Sequence, residues 1–208
     1  MEDVIQTYLR PYDPRYPVVC FDEACKQLFG EVRPPKRCRP GRTARVDYEY
    51  ERKGVCHQLL MCEPLRGWRH VQVTERRTRR DYAGCVRELV EVYYPRAEKI
   101  LLVQDNLNTH DGASLYEAFP PEVARRTLDR IEFHYTPKHG SWLNMAETEI
   151  NIMGRQCLGR RLDSQGRMAE EIAAWEGERN ARKARIHWTF TLTAARRKLR
   201  KVYPSIEA

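Results

Sequence analysis

Residues 100–105, Ile-Leu-Leu-Val-Gln-Asp, restrict the fold more than any other segment of this chain. The apolar residues run without alternation, so a strand made of them has no face to give to water and must be covered on both sides. A strand of that kind belongs in the middle of a sheet with helices packed on each face. The run closes on a carboxylate, Asp105. A second apolar run, residues 16–22 (Tyr-Pro-Val-Val-Cys-Phe-Asp), closes in the same way on Asp22. A third acid, Glu147, follows Gly-Ser-Trp-Leu-Asn-Met-Ala (140–146) at the start of an expected helix. Two carboxylates at the ends of neighbouring strands, with a third on a helix beside them, would form one anionic cluster. Such a cluster is costly without a cation, and hard carboxylate oxygens suit Mg²⁺ or Mn²⁺.

The remaining pattern supplies the elements around that strand. Residues 1–16 read as a short arm or helix, and 17–22 as a strand with Asp22 at its C-terminal end. The prolines of the Pro- and Arg-rich segment from Arg33 to Arg42 deny it regular hydrogen bonding, so it is expected to be extended and exposed. Tyr48–Tyr50, Val55–Cys62 and His70–Thr74 read as strands of an antiparallel meander, with Gly54 and Gly67 at turns. From Arg80 to Tyr94 the apolar residues recur at three and four, the helical period, until Pro95. Strand 99–105 follows, then helices at Leu115–Phe119 and Pro121–Leu128, a last strand at Ile131–Tyr135, and helices near 141–158, 165–183 and 192–202. At 208 residues the chain suits one domain. The expected division is an arm (1–16), a core (17–160) and basic C-terminal helices packed on it (161–208). This order is the layout of an RNase H-like α/β domain: a mixed five-stranded sheet flanked by helices, with a C-terminal helical extension.

Charge narrows the class of partner. The net charge is +8, and it is unevenly placed. Six basic and no acidic residues lie between Arg33 and Arg45, and nine basic and no acidic residues between Arg179 and Lys201. Two single-sign stretches in a chain otherwise rich in acids point to a polyanion, nucleic acid above all. The longest apolar runs are only a few residues, so no membrane span is expected, and the N-terminus has no secretory pattern. Seven cysteines, an odd number without a CxxC pair, suit reduced thiols in a cytoplasmic protein. Cys56, His57 and Cys62 match no zinc-site spacing.

Three blocks carry a more specific signal. Val-Cys-Phe-Asp-Glu (19–23), Val-Gln-Asp-Asn-Leu-Asn-Thr-His (103–110) and Thr-Pro-Lys-His-Gly-Ser-Trp-Leu-Asn-Met-Ala-Glu (136–147) closely resemble the catalytic blocks of IS630-family transposases, within the Tc1/mariner group of DDE enzymes. The spacing agrees: 82 residues separate Asp22 from Asp105, and 41 separate Asp105 from Glu147. The likeness extends to Gly-Trp-Arg-His (67–70), Ala-Arg-Arg-Lys-Leu (195–199) and Tyr-Pro (203–204). The resemblance implies cleavage and transfer of DNA strands with two Mg²⁺ or Mn²⁺ ions. Asp22 would bridge both ions, and Asp105 and Glu147 would each hold one. It also implies DNA partners (transposon ends and target) and a homodimer in the transposition complex. Members of that family carry helix-turn-helix modules ahead of the catalytic part. None fits in the twenty or so residues before Asp22, so that part is expected to be encoded separately, joined by frameshifting, or lost. An RNase H-like nuclease and a DNA-binding remnant without catalysis are the competing readings.

The neighbouring residues leave choices open. Glu149 rivals Glu147, but at 100° per residue it falls nearly opposite and reads as structural. Glu23 points away from Asp22 across the strand and should stand outside the cluster. Asn106, Asn108 and His110 contact the scissile phosphate, orient metal ligands or shape a turn. Lys138 and His139 are candidate phosphate contacts, as are Arg37, Arg39 and Arg42 in the loop and Arg196, Arg197 and Lys198 in the tail. Trp142 is expected in the core.

Overall fold

A computed structural model describes residues 1–200. Helix α1 (Glu2–Tyr8) leads into β1 (Val18–Glu31), β2 (Tyr50–Glu63) and β3 (Trp68–Thr74). Helix α2 (Arg79–Glu88) continues into a π-helical turn at Leu89–Tyr93, followed by β4 (Ile100–Gln104), α3 (Ala113–Ala118), α4 (Pro121–Leu128) and β5 (Ile131–Tyr135). A 3₁₀ turn (Ser141–Leu143) precedes α5 (Met145–Gln156), α6 (Gln165–Ala181) and α7 (Leu192–Lys198). The last helix is expected from sequence to reach 202, and its final two residues lie outside the described part. No described helix is long and apolar enough to cross a membrane.

One mixed sheet has the order β3-β2-β1-β4-β5. β1, β2 and β3 form the antiparallel meander, whereas β1–β4 and β4–β5 are parallel. β4 is an interior strand, between β1 and β5, and is buried along its length, as its unbroken apolar run requires. Alternation divides the core between two faces. Val19, Phe21, Ile100 and Leu102 pack with Tyr82, Leu89 and Leu115 on the side of α2 and α3. Cys20, Leu60 and Val103 pack with Val4, Ile5, Met153, Ile172 and Trp175 on the side of α1, α5 and α6.

Two expectations need correction. β1 does not stop at Asp22; it runs on to Glu31 because β2 pairs with it throughout. Its pairing with β4 covers only Val18–Cys20, so Asp22 lies in mid-strand, where β4 has already left its edge. Gly54 marks no turn. It sits inside β2 at φ +98°, opposite a register shift between Gln27 and Phe29, so its freedom at positive φ serves a β-bulge. Residues 1–16 hold a helix, one of the two forms expected of them, and it packs into the core: Val4 and Ile5 of α1 are fully buried, and the Tyr8 hydroxyl donates to the Leu143 carbonyl at 2.8 Å.

The basic segment after β1 is exposed, as expected, but it is ordered as a small hairpin. Lys36 bridges Arg45, and Arg39 bridges Arg42 across a Pro40-Gly41 turn with Gly41 at φ +74°. Gly67 does close a turn, between β2 and β3, at φ +72°. A Cβ there would come within 2.5 Å of the Lys183 backbone. Gly67→Ala therefore combines left-handed strain with a backbone clash, and should cost about 2–4 kcal/mol. Thermal melting checks this; an unchanged midpoint would show that the loop before α7 does not rest on this turn.

Candidate metal centre

β1, the loop after β4 and the first turn of α5 bring the three acids to one rim of the sheet. Asn144 sets the junction. Its side-chain oxygen caps α5 by accepting from the Ala146 N–H at 3.1 Å. Its amide donates to the Phe21 carbonyl at 2.8 Å and to Asp22 Oδ2 at 3.3 Å. The start of α5 is thus latched to β1 beside Asp22, which places Glu147, in the first turn of the helix, on the same side. Helical phase alone gives Asn144 only a place on the polar border of the helix; its capping position is the signal that could have found this role.

The electrostatics are those of crowded anions. Burial is the main force raising Asp22 to about 7, and the charges of Glu147 and Asp105 add to it, against a stabilising hydrogen bond from the Glu23 N–H. Among the described residues neither Asp22 nor Glu147 has a cationic partner within ion-pair distance. Also among the described residues, no three His, Cys, Asp or Glu side chains converge closely enough to close a metal site as they stand. The acids are within electrostatic reach of one another without being in ligand contact. Their donor chemistry, and the charge penalty on Asp22, fit a hard divalent cation.

Asp105 is held differently. His110 is wholly buried, and its Nδ1 forms a short hydrogen bond to Asp105 Oδ1. Its Nε2 lies 3.6 Å from Glu23 Oε2, an ion-pair distance rather than a hydrogen bond. Arg77 Nη1 donates to the other Glu23 oxygen at 2.8 Å. Burial disfavours the charged ring, yet its contacts with Asp105 and Glu23 outweigh burial and raise His110 to about 9. Burial likewise works against the charges on Asp105 and Glu23, and His110 still holds both below the ordinary carboxylate range. Glu23, expected outside the cluster because it faces away from Asp22, is therefore tied to Asp105 through His110. Nothing in the local pattern signals that link, because it forms around the rim of the sheet.

Glu149 is fully buried in an ion triad, accepting from Arg69 Nη2 at 3.3 Å and from Arg179 Nε and Nη2 at 3.1 and 2.8 Å. It joins β3, α5 and α6 and does not face the rim. Lys138 and His139 do. With Asp105, Asn106, Leu107, Thr136 and Ser141 they line an open cleft of about 490 Å³, and His139 holds a left-handed conformation at φ +62°. Arg37, Arg39 and Arg42 lie on the exposed hairpin, outside that cleft. On α7, Arg196 makes a two-pronged ion pair with Glu2, Lys198 stands over the Phe190 ring at 5.8 Å, and Arg197 is exposed. Trp142 is not a core residue: it is 49% exposed and rests edge-on against Phe190. It lies in the 3₁₀ turn before the helix, so extrapolating the helical phase of α5 back to it misplaces the side chain.

The strand order, the parallel β1–β4–β5 half and the helices on both faces make this an RNase H-like fold. Residues 17–169 match the family described as DDE superfamily endonuclease, and the chain belongs to that family. No curated protein sequence matches the chain. Among solved structures it is similar to the Mos1 mariner paired-end complex with Mn, at 15% identity and TM-score 0.57, over 88% of this chain and 57% of that one. The Mos1 transposase paired-end complex with the left transposon end gives 16% identity and TM-score 0.56 over the same shares. The Mos1 strand transfer complex gives 15% and 0.53, over 81% of this chain and 50% of that one. At these identities the likeness is one of fold, and the chain spans little more than half the length of the proteins it matches.

Proposed function

We propose that this chain is the catalytic domain of a Tc1/mariner-type DDE transposase, of the IS630 kind, which cuts and joins DNA strands at an insertion sequence. The observation that carries the reading is the crowding of Asp22, Asp105 and Glu147 at one rim, where burial and the two neighbouring charges raise Asp22 well above the ordinary carboxylate range and the charge of His110 offsets them only in part. Asp22, Asp105 and Glu147 are the residues that would hold Mg²⁺ or Mn²⁺, two ions by the resemblance. Such ions, when bound, activate the attacking water or 3′-hydroxyl and stabilise the leaving 3′-oxygen. The chain's own work is to hold the carboxylates at the rim: β1 fixes Asp22, and Asn144 fixes the start of α5 against it. Lys138 and His139, on the wall of the cleft beside Asp105, would take up phosphate oxygens of the strand. The partners are the transposon ends and target DNA, with a homodimer bringing two ends together.

The test is strand cleavage in Mg²⁺ or Mn²⁺ on DNA carrying the element's own ends, beside generic duplex. The reading expects nicking that needs the metal. No metal-dependent cleavage of either DNA would overturn it and favour a binding role alone.

Affinity for DNA should be steeply salt-dependent. Replacing Arg37, Arg39 and Arg42 with Gln removes three exposed cations from the hairpin. It should lower affinity and flatten the log K against log salt slope by about 2–3, at roughly 0.9 for each phosphate no longer neutralised. Arg197→Gln with Lys198→Gln should act in the same direction. Arg196→Gln should do less, because Glu2 already holds that guanidinium. Titration by fluorescence anisotropy at several salt concentrations measures the slope; an unchanged slope would remove the hairpin from the DNA surface.

A further inference from the structure

We propose that His110 is a positioning residue for Asp105: its buried ring holds one carboxylate oxygen and so fixes the side chain at the wall of the cleft. The inference rests on Asp105 being a metal ligand in the proposed function. Asp105 is the first residue beyond β4, and its side chain is 41% exposed. Left alone, a carboxylate on a loop would sample several rotamers. His110 removes that freedom. Its backbone is tied at both polar groups: the N–H donates to the Leu107 carbonyl at 2.9 Å, and the carbonyl accepts from Gln104 Nε2 at 2.8 Å and from the Tyr135 hydroxyl at 3.2 Å.

The ring is fixed as firmly as the backbone. It stacks on Tyr82 with centroids 5.0 Å apart and meets Phe21 edge-on at 5.0 Å. Both ring nitrogens face carboxylates, Nδ1 toward Asp105 and Nε2 toward Glu23, whose second oxygen is taken by Arg77. A carboxylate only accepts, so Nδ1 is the donor to Asp105. Packing alone does not require imidazole here, since a phenyl ring would fill the space between Phe21 and Tyr82. What phenylalanine lacks is the hydrogen bond, and that is the function assigned to His110. The phosphate-contact role is removed by geometry, because a fully buried ring cannot meet DNA.

The experiment measures Mn²⁺ binding to the whole chain by electron paramagnetic resonance, with thermal melting alongside. His110→Phe keeps an aromatic ring and loses the donor; His110→Asn keeps an amide donor near the Nδ1 position. Loss of an outer partner of a metal ligand weakens affinity by about 10–100-fold, and that is the loss expected for His110→Phe. His110→Asn should recover part of it. Glu23→Gln, which leaves the packing of the ring untouched, should show a smaller loss in the same direction. Wild-type Mn²⁺ affinity in a folded His110→Phe would overturn the proposal. Should that variant fail to fold, wild-type affinity in Glu23→Gln would overturn it equally. If Asp22→Asn and Asp105→Asn also bind Mn²⁺ as the wild type does, the metal-site reading itself has failed, a different result from the loss of His110's role alone.

Discussion

Asp22→Asn, Asp105→Asn and Glu147→Gln should each lower metal-dependent DNA cleavage by at least about 10³-fold, equivalent to about 4 kcal/mol of lost transition-state stabilisation. All three should remain folded. Each replacement removes one negative charge from a rim where Asp22 already feels burial and the charges of Glu147 and Asp105. The metal-free fold should therefore hold level or gain stability in Asp22→Asn and Glu147→Gln, whereas Asp105→Asn should lose a little, because its carboxylate is paired with the buried His110 ring. Asp22→Asn should gain most, by about 1–2 kcal/mol, since a neutral amide ends both the desolvation penalty and the repulsion. Nicking of supercoiled DNA and thermal melting, read side by side on the same preparations, give both halves of the result. Retained cleavage in any of the three would remove that residue from the centre. Lost cleavage accompanied by a markedly lower melting point would point instead to a fold defect.

Glu149→Gln should give the opposite pattern, a large loss of stability. The carboxylate is fully buried between Arg69, itself buried, and Arg179. Arg69 is further held by the Asn180 side chain and the Ala184 carbonyl. Removing the only acid of the triad leaves guanidinium charge without compensation in the interior, at a cost of about 3–5 kcal/mol. For a domain of this length that lowers the melting midpoint by roughly 10 °C. The double variant Arg69→Met with Glu149→Leu should lose less than the single one, because it removes a buried charge as well as its partner. A wild-type melting point for Glu149→Gln would show that the triad does not secure α5 and α6 to β3. The two glutamates, two positions apart on α5, are thus separable by experiment: one change should affect cleavage with the fold intact, the other should affect the fold first.

Where the sequence was readable, a local rule decided the matter. An unbroken apolar run put β4 in the interior of the sheet, paired on both sides and covered on both faces. A proline at the first position set the start of α4 at Pro121. Helical periodicity located most of α2 and α5 within a few residues. Where the reading failed, the deciding contact was distant in sequence. The stretch Glu23–Glu31 shows little apolar patterning, and only its pairing with β2, itself extended past the Gly54 bulge, makes it strand. Trp142 carries the same hydrophobic weight as a core residue, and it is exposed because Tyr8 bonds to the turn beside it while Leu143 takes the buried place. His110 offered three roles on sequence grounds. Its burial between Phe21 and Tyr82, residues 89 and 28 positions away, is what leaves it holding Asp105. The facing of Glu23 away from Asp22 was legible from strand alternation, but its approach to Asp105 through a third side chain was not.

Anomalous diffraction from crystals of this chain grown with Mn²⁺ tests the central claim most directly. The account predicts Mn²⁺ density bounded by Asp22, Asp105 and Glu147, lost in Asp22→Asn and unaffected by removal of cations from the hairpin. Density confined to other carboxylates, with the rim between β1, β4 and α5 empty at saturating metal, would contradict it.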